Sequence, residues 1–582
     1  MIRNTVLWLS VFAVLTYTWK DWYRGLCGLI ALMAIMEHPD VPKQMLGVPG
    51  LNPFNLLIAN ILAAWAVQRK QEGLTFDLPR HIGLVLLCFA AVVLLGFFRL
   101  TRSDIGFVMF YYDASFANLV SDYLLNPFKF AIPAILLYDG CRTEERFRLA
   151  LIAILSVYIV LGLQVAKWMP PTLALDADAL ERRGLRVLAS GIGYHRVNLS
   201  AMLSGASWAI LSMRPLLPRG IRIMALLTAL FVVYAQVMTG GRAGYAAWVA
   251  VGLVMSLLKW RRYLLLVPAA LMAVFLVAPG ILGRATEGFT AESRDSSQRI
   301  DQLRHSGDLS NSDGTVDSYT VTAGRSIAWP VVIEYIKRQP WIGYGRQAML
   351  SSGAALYIYE TYREGFPHPH NAYLEALLDN GIIGALPIFL LYGLMFCYAV
   401  RMFLSRESPT CIAIGGMATA MIFSLFVSAL GSQSFYPEEG WVGMWCAMFL
   451  MLRVRVERKR LTASAAPAAI VSSAPTLPML RPAFAGQRQP VAAPASANVT
   501  MSPIPAVKWQ PRKASAGNPP GNSPTEKSNA PVPRPAGSPG PIPKATPGPR
   551  FRPSLPFMPK QGIASLGIFG STVTDPLVWE RA

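Results

Sequence analysis

The segment FPHPHNAYLEALLDNGIIG at 366–384 holds the side chains best suited to moving a proton. Pro367 and Pro369 restrict the backbone just ahead of His370. Asn371 is suited to cap a helix that runs to about Asp379 and stops at Gly381. His370 then sits at a helix N-terminus, where the positive end of the dipole disfavours imidazolium. A histidine kept neutral near pH 7 is what a general base requires. A lone histidine in such a place as readily caps or packs, so its company decides. His368, Asn371, Tyr373 and Glu375 flank it, and Arg346 follows the glycines of WIGYG. Tyr357, Tyr359 and Tyr362 offer ring faces for stacking, with Arg363 beside Tyr362.

A second arrangement points to different chemistry. LDADAL places Asp176 and Asp178 as an Asp-x-Asp pair, which can hold a divalent cation. By the orientation argued below, this pair faces away from the cytosol, which supplies the nucleotide substrates that such metal sites commonly serve. It reads as an acidic loop, and no metal or other cofactor is expected. The six cysteines are scattered singly, without a CxxC pair, so neither a zinc site nor a disulfide framework is indicated.

The elements that must position these groups are membrane spans. Hydrophobic residues make up 53% of the 582 positions and charged residues only 15%, well below the quarter or so usual for soluble domains. Thirteen apolar runs lie between residues 5 and 452, several of them short, and a spanning helix needs roughly 20 mostly apolar residues. The expected fold is an all-α polytopic bundle of 12 or 13 transmembrane helices, the first of which stays as an anchor. The net charge of +20 comes from short interhelical loops and the tail, a pattern of membrane orientation rather than of nucleic-acid binding.

Orientation follows from the basic loops. Segments 214–222, 259–262, 401–406 and 453–460 are short and rich in Lys and Arg, and counting helices puts all four on one side, the cytoplasmic one. The long segment of about 280–380, the 239–242 turn and the 166–196 loop then meet at the opposite, periplasmic face. Loops of that length are uncommon and tend to be functional. From 461 to 582 the chain changes character: it holds more than half of the 44 prolines, with Ala, Ser and Gly between them. Such a tail cannot bury enough apolar surface to order itself. It reads as a cytoplasmic spacer, or as a tether to anionic lipid or a proline-reading partner.

Four segments, in order, carry a family resemblance: GIGYHRVNLSA at 191–201, TGGRAGYAAW at 239–248, GRSIAW through QPWIGYG at 324–345, and HPHNAYLEALLDNGIIGAL at 368–386. Together they resemble the O-antigen ligase and O-antigen polymerase superfamily. The resemblance covers about 190 to 400, and it divides the chain into N-terminal helices (1–190), a catalytic region (191–460) and the tail (461–582). It implies a metal-independent, inverting glycosyltransferase of the inner membrane. The donor would be a glycan on polyprenyl diphosphate, and the acceptor a hydroxyl of a glycan, lipid or protein. His370 matches the family's catalytic histidine, and Arg242 and Arg325 its diphosphate-binding arginines. Asn198 matches the Asn-containing segment. Guanidinium forks suit phosphate oxygens that gather charge as a glycosidic bond breaks.

Two alternatives stay open at this point. A protein O-glycan ligase shares the same motifs. A transporter also has about a dozen helices, but such proteins carry repeated halves and broken helices near the midplane. No two-fold repeat is visible here, and the charges gather in one external segment rather than within the spans.

Overall fold

The computed structural model describes residues 2–45, 50–266, 272, 279–286, 324–406, 408–431 and 433–471. They form helices α1 (Ile2–Thr18), α2 (Trp22–Met36), α3 (Pro53–Gln71), α4 (Arg80–Arg102), α5 (Ile105–Tyr112), α6 (Phe116–Val120), α7 (Asn126–Gly140), α8 (Glu144–Trp168), α9 (Ala177–Ile192), α10 (Arg196–Ser212), α11 (Arg222–Met238), α12 (Arg242–Leu258), α13 (Pro279–Thr286), α14 (Arg325–Arg338), α15 (Ala348–Ser351), α16 (Ala354–Tyr362), α17 (Ala372–Leu404), α18 (Pro409–Ser428) and α19 (Val442–Val471). No strand occurs among the described residues. From 472 onward the chain lies outside the described residues. The expected proline-rich tail falls almost wholly there, although α19 itself runs past residue 460.

Among the described residues five helices are long and apolar enough to cross a bilayer: α4, α8, α11 with its preceding turn, α17 and α18. Three shorter apolar helices, within α1, α2 and α12, accompany them. Their outward faces carry large apolar side chains such as Leu84, Leu87, Leu163, Leu230 and Leu386, all more than half exposed. Water would tolerate so many poorly, whereas lipid does not penalise them, and helices satisfy their own backbone groups there. The chain is an all-α integral membrane protein. At the heart of the bundle α10 is wrapped by α11, α12 and α18, with α17 against α18 and α4. Small residues allow this closeness: a side-chain carbon on Gly205 of α10 would come within 3.1 Å of the Met421 backbone.

One end of the bundle is closed by ion pairs. Arg69 meets Asp139 at 2.7 Å, Arg146 meets Glu72 at 2.7 Å, and Asp77 is shared by Arg142, Arg453 and Arg460. The starts of α4 and α8 and the end of α7 lie at this end, so the starts of α10, α12 and α17 lie at the other.

At that other end the described part of the long 280–380 segment is helical rather than loop-like. Helices α14, α15 and α16 bury Ala328, Val332, Met349 and Ile358 against Phe97 and Leu100 of α4, forming a second hydrophobic cluster. Residues 287–323 lie outside the described part. The 166–196 connection likewise contains α9, whose Leu180, Leu188 and Ile192 are buried and whose Arg182, Arg183 and Arg186 are exposed.

The glycines of QPWIGYG have a structural cause. Helix α17 breaks at Gly381 (φ 60°, ψ −170°), the position expected to stop it. The break frees backbone groups, and segment 340–345 takes them up. Ile382 N–H donates to Pro340 O (2.8 Å), while Tyr344 and Gly345 N–H donate to Leu378 O (2.9 Å) and Asp379 O (2.7 Å). A side-chain carbon on Gly343 would lie 2.5 Å from Leu378 O, and one on Gly381 2.3 Å from the Trp341 backbone. Both glycines also have positive φ, so only residues without Cβ close this seam.

Candidate active site

Three helix N-termini supply the expected catalytic residues, and in each the preceding residue explains the placement. Arg242 is the first residue of α12 and follows Gly241; Arg325 is the first residue of α14 and follows Gly324, whose φ is +76°. Neither terminus has a side-chain cap. The start of α12 lies tight on α10: Cβ atoms on Gly241 and Gly244 would fall 2.6 and 1.9 Å from Ser200 side-chain atoms. Ser200 Oγ–H donates to Gly241 O at 3.2 Å. The Gly-rich turn around Arg242 is thus a close-packing device that fixes where the arginine emerges.

The third terminus is that of α17. Asn371 caps it as expected, its Oδ1 accepting from Tyr373 N–H (3.0 Å) and Leu374 N–H (3.2 Å). Ala372 N–H donates to Ala429 O at 2.8 Å, tying the start of α17 to the end of α18. His370 precedes the cap in the left-handed region, at φ +51°, a conformation that costs a non-glycine residue energy and that its surroundings must enforce. Trp329 of α14 does so by donating its indole N–H to Pro369 O at 3.0 Å. The His368 and His370 rings lie 4.0 Å apart at 48°, and Phe366 packs edge-on against His370 at 6.0 Å. His370 Nδ1 is buried and has no hydrogen-bond partner among the described residues.

Electrostatics bind these termini into one site. Burial, and then the charge of Arg242, pull the Arg325 guanidinium down to about 10. Burial, and then the neighbouring His368, Arg325 and His195, push His370 down to about 2. His368 is pushed to about 4 by burial and Arg325, and His195, at the start of α10, to about 4 by burial and Arg196. All three rings are neutral at pH 7, as the sequence led one to expect for His370. Arg325 also donates to Gly431 O, and a Cβ on Gly431 would lie 3.1 Å from Ala243, the neighbour of Arg242. The end of α18 therefore bridges the two arginine-bearing helix starts. A cluster of guanidinium groups, helix N-termini and neutral imidazoles is suited to receive an anion and to accept a proton beside it.

The other expected binding residues occupy different positions. Arg346 is buried, donates to Glu375 (2.8 Å) and Asp379 (3.0 Å), and lies 3.7 Å over the Tyr436 ring. Tyr373 donates its hydroxyl to Phe426 O at 2.9 Å. Arg346, Glu375 and Tyr373 thus spend these polar atoms on holding α17, α18 and the 340–346 seam together. Asn198 accepts from Gln433 Nε2 (2.9 Å), and Gln433 accepts from Trp441 (3.1 Å). Tyr357 is about half exposed, and Arg363 ends α16 at φ +60°. Asp176 caps α9, accepting from Asp178 N–H (2.9 Å) and Ala179 N–H (3.1 Å), so the Asp-x-Asp pair serves as a helix start. Sequence reasoning passed over Trp329, a mid-helix indole with no local mark of its task, and gave His195 no role of its own.

Residues 224–389 match the family model described as O-antigen ligase. The stretch holds Arg242, Arg325, Arg346, His368 and His370, but not His195 or Asn198. The chain is also 26% identical over 137 residues to an O-antigen ligase of Pseudomonas aeruginosa, an alignment covering 22% of this chain and 30% of that relative. The chain thus spans about a third of the length of the curated relative it matches. Through this stretch, with its arginine and histidine motifs, the chain is similar to the O-antigen ligase superfamily.

Proposed function

We propose that this protein is a membrane glycosyltransferase of the O-antigen ligase and polymerase type. It transfers or polymerises a glycan from a polyprenyl diphosphate carrier onto an acceptor hydroxyl, in the making of a surface polysaccharide. The observation that carries the proposal is the electrostatic coupling of Arg242, Arg325 and His370, each at the start of a different helix. In this reading the two guanidinium groups and the N-termini of α12 and α14 hold the diphosphate. The acceptor oxygen attacks the anomeric carbon from the face opposite the diphosphate, and the carbon–oxygen bond to the diphosphate breaks. The leaving group keeps the electron pair, the hydroxyl proton passes to the His370 imidazole, and configuration inverts. No metal enters the scheme. Bound diphosphate raises the proton affinity of His370 relative to the empty site, because an opposite charge nearby favours imidazolium.

The same reading places the site at the periplasmic face of a bacterial inner membrane and the ion-paired end in the cytosol, with 12 or 13 spans between. The basic loops at 214–222, 259–262, 401–406 and 453–460 support it. It also divides the chain into N-terminal helices (1–190), a catalytic region (191–460) and the tail (461–582).

The deciding experiment offers membranes bearing the full-length protein a defined polyprenyl-linked oligosaccharide with lipid A core, glycan or protein acceptors in separate reactions. Transfer to any of them supports glycosyl transfer, and the acceptor used separates ligase, polymerase and protein O-glycan ligase. Movement of the lipid-linked glycan across the bilayer without a new glycosidic bond would favour the transporter.

A further inference from the structure

At the ion-paired end, away from His370, a cavity of about 300 Å3 opens between α4, α17 and α19. Its wall is apolar where Pro79, Leu452 and Val456 line it, and its mouth is basic, carrying Arg455, Lys459 and Arg460. His81 and Tyr398 lie between the two, their side chains hydrogen-bonded at 2.8 Å (His81 Nε2 to Tyr398 Oη). The Arg455 guanidinium lies 4.1 Å over the Tyr398 ring, and no carboxylate pairs with it among the described residues. Arg460 is held by Asp77 and Glu457. Among the described residues, Arg69, Arg142, Arg453, Arg455 and Arg460 share this corner with three carboxylates, Asp77, Asp139 and Glu457, so the mouth keeps a positive excess.

The cavity also continues onto lipid-facing surface. One turn and two turns along α4 from His81 lie Leu84 and Leu87, both exposed; two turns before Tyr398 on α17 lies Leu390, also exposed. A cationic mouth beneath an apolar, outward-facing wall matches a molecule with a charged head and hydrocarbon chains. The chain's own tail is no complement, since its basic residues outnumber its acidic ones from 461 on.

We propose that this cavity binds an anionic phospholipid of the leaflet at that end. The phosphate sits among Arg455, Lys459 and Arg460, the glycerol lies against Tyr398 and His81, and the acyl chains lie along α4 and α17. Bound lipid then joins the start of α4 to α19.

The test uses the full-length protein in phosphatidylcholine nanodiscs, with and without phosphatidylglycerol, and in a third arm with inorganic phosphate added instead. Retained lipid is read by native mass spectrometry and stability by thermal unfolding. Phosphatidylglycerol is expected to be retained in preference to phosphatidylcholine and to raise the unfolding midpoint. The double variant Arg455→Gln/Lys459→Gln is expected to lose roughly 30-fold in apparent affinity, from about 1 kcal/mol per basic residue. Val456→Trp keeps the charges but fills the cavity, and is expected to lose the lipid as well. Arg182→Gln/Arg186→Gln, which removes two exposed cations of α9, should change nothing. Equal retention of the two lipids by the wild-type protein would overturn the proposal. So would stabilisation by inorganic phosphate alone, which marks a soluble-anion site, or undiminished retention by both cavity variants. If the double variant lacks a cooperative unfolding transition, Val456→Trp and the wild-type selectivity decide.

Discussion

The indole N–H of Trp329 donates to the carbonyl of Pro369 across 3.0 Å, joining α14 to the residue just before His370. One helix therefore carries both Arg325 at its start and, one turn on, the side chain that holds the backbone of the proposed base. In the proposed mechanism phosphate recognition and proton acceptance are then set by a single element, and a shift of α14 would move both.

Trp329→Phe tests that coupling. The ring still fills its place, but the hydrogen bond is lost and His370 is no longer held at φ +51°. The expected result is a folded protein whose kcat falls about tenfold, since small displacements of reacting groups are costly, with donor affinity changed by less than about twofold. Turnover and donor-binding measurements on purified protein decide it, and an unaltered kcat would show that the bond does not position the imidazole.

His370→Ala removes the proposed base outright. General acid–base catalysis contributes ~100- to 10,000-fold, so turnover is expected to fall within that range while donor binding persists. Full activity in this variant would take His370 out of the mechanism.

Much of this site was legible in the sequence, and the part that was not has a physical reason. Asn371 as a cap and Gly381 as the break in α17 follow from local rules, because caps and glycine freedom act within a turn or two, whereas His370 is kept neutral by burial and then by His368, Arg325 and His195, two of them far away in sequence. Arg346, Glu375 and Tyr373 were grouped with the binding residues because they flank the motif. In the fold they are drawn into a buried ion pair under Tyr436 and a bond to Phe426, partners far away in sequence. Asp176 and Asp178, read from the sequence as an acidic loop, open helix α9 instead. The long connections were read as loops because amphipathic helices such as α9 and α14 are too polar to resemble spans.

Arg242→Lys and Arg325→Lys keep the charge but lose the planar fork. An ammonium cannot reproduce bidentate contact with phosphate, so both variants are expected to bind lipid-linked donor about tenfold or more weakly and to turn over more slowly. Each should still reach the membrane, because both residues lie at helix starts and not in the span cores. Donor titration of purified variants provides the measurement. Unchanged donor affinity in both would separate the arginines from the diphosphate.

Orientation is open to a direct check. Reporter fusions at Ser310 and Ser473, both outside the described residues, are expected to report opposite sides of the membrane, periplasmic for the first and cytosolic for the second. Fusions that report the same side would defeat the periplasmic placement of the site.

The buried histidines make acid stability a sensitive readout. In the unfolded chain each takes up a proton near pH 6.5, whereas in the fold His195 and His368 stay neutral to about 4 and His370 to about 2. The unfolded state therefore binds more protons below pH 6.5, and stability contributed by these rings is lost as pH falls. All three contribute between about 6.5 and 4, and His370 alone below that. Glu439 acts in the opposite sense, since burial, and then Glu37, raise it to about 7, and Glu438 is raised as well. Comparing variants cancels that opposing contribution. His368→Gln/His370→Gln is expected to flatten the acid limb of the unfolding midpoint by up to two protons' worth of slope between pH 6.5 and 4, while the limb above pH 7 stays superimposable on wild type. Parallel acid limbs for the two proteins would mean that these rings ionise in the fold as they do in the unfolded chain.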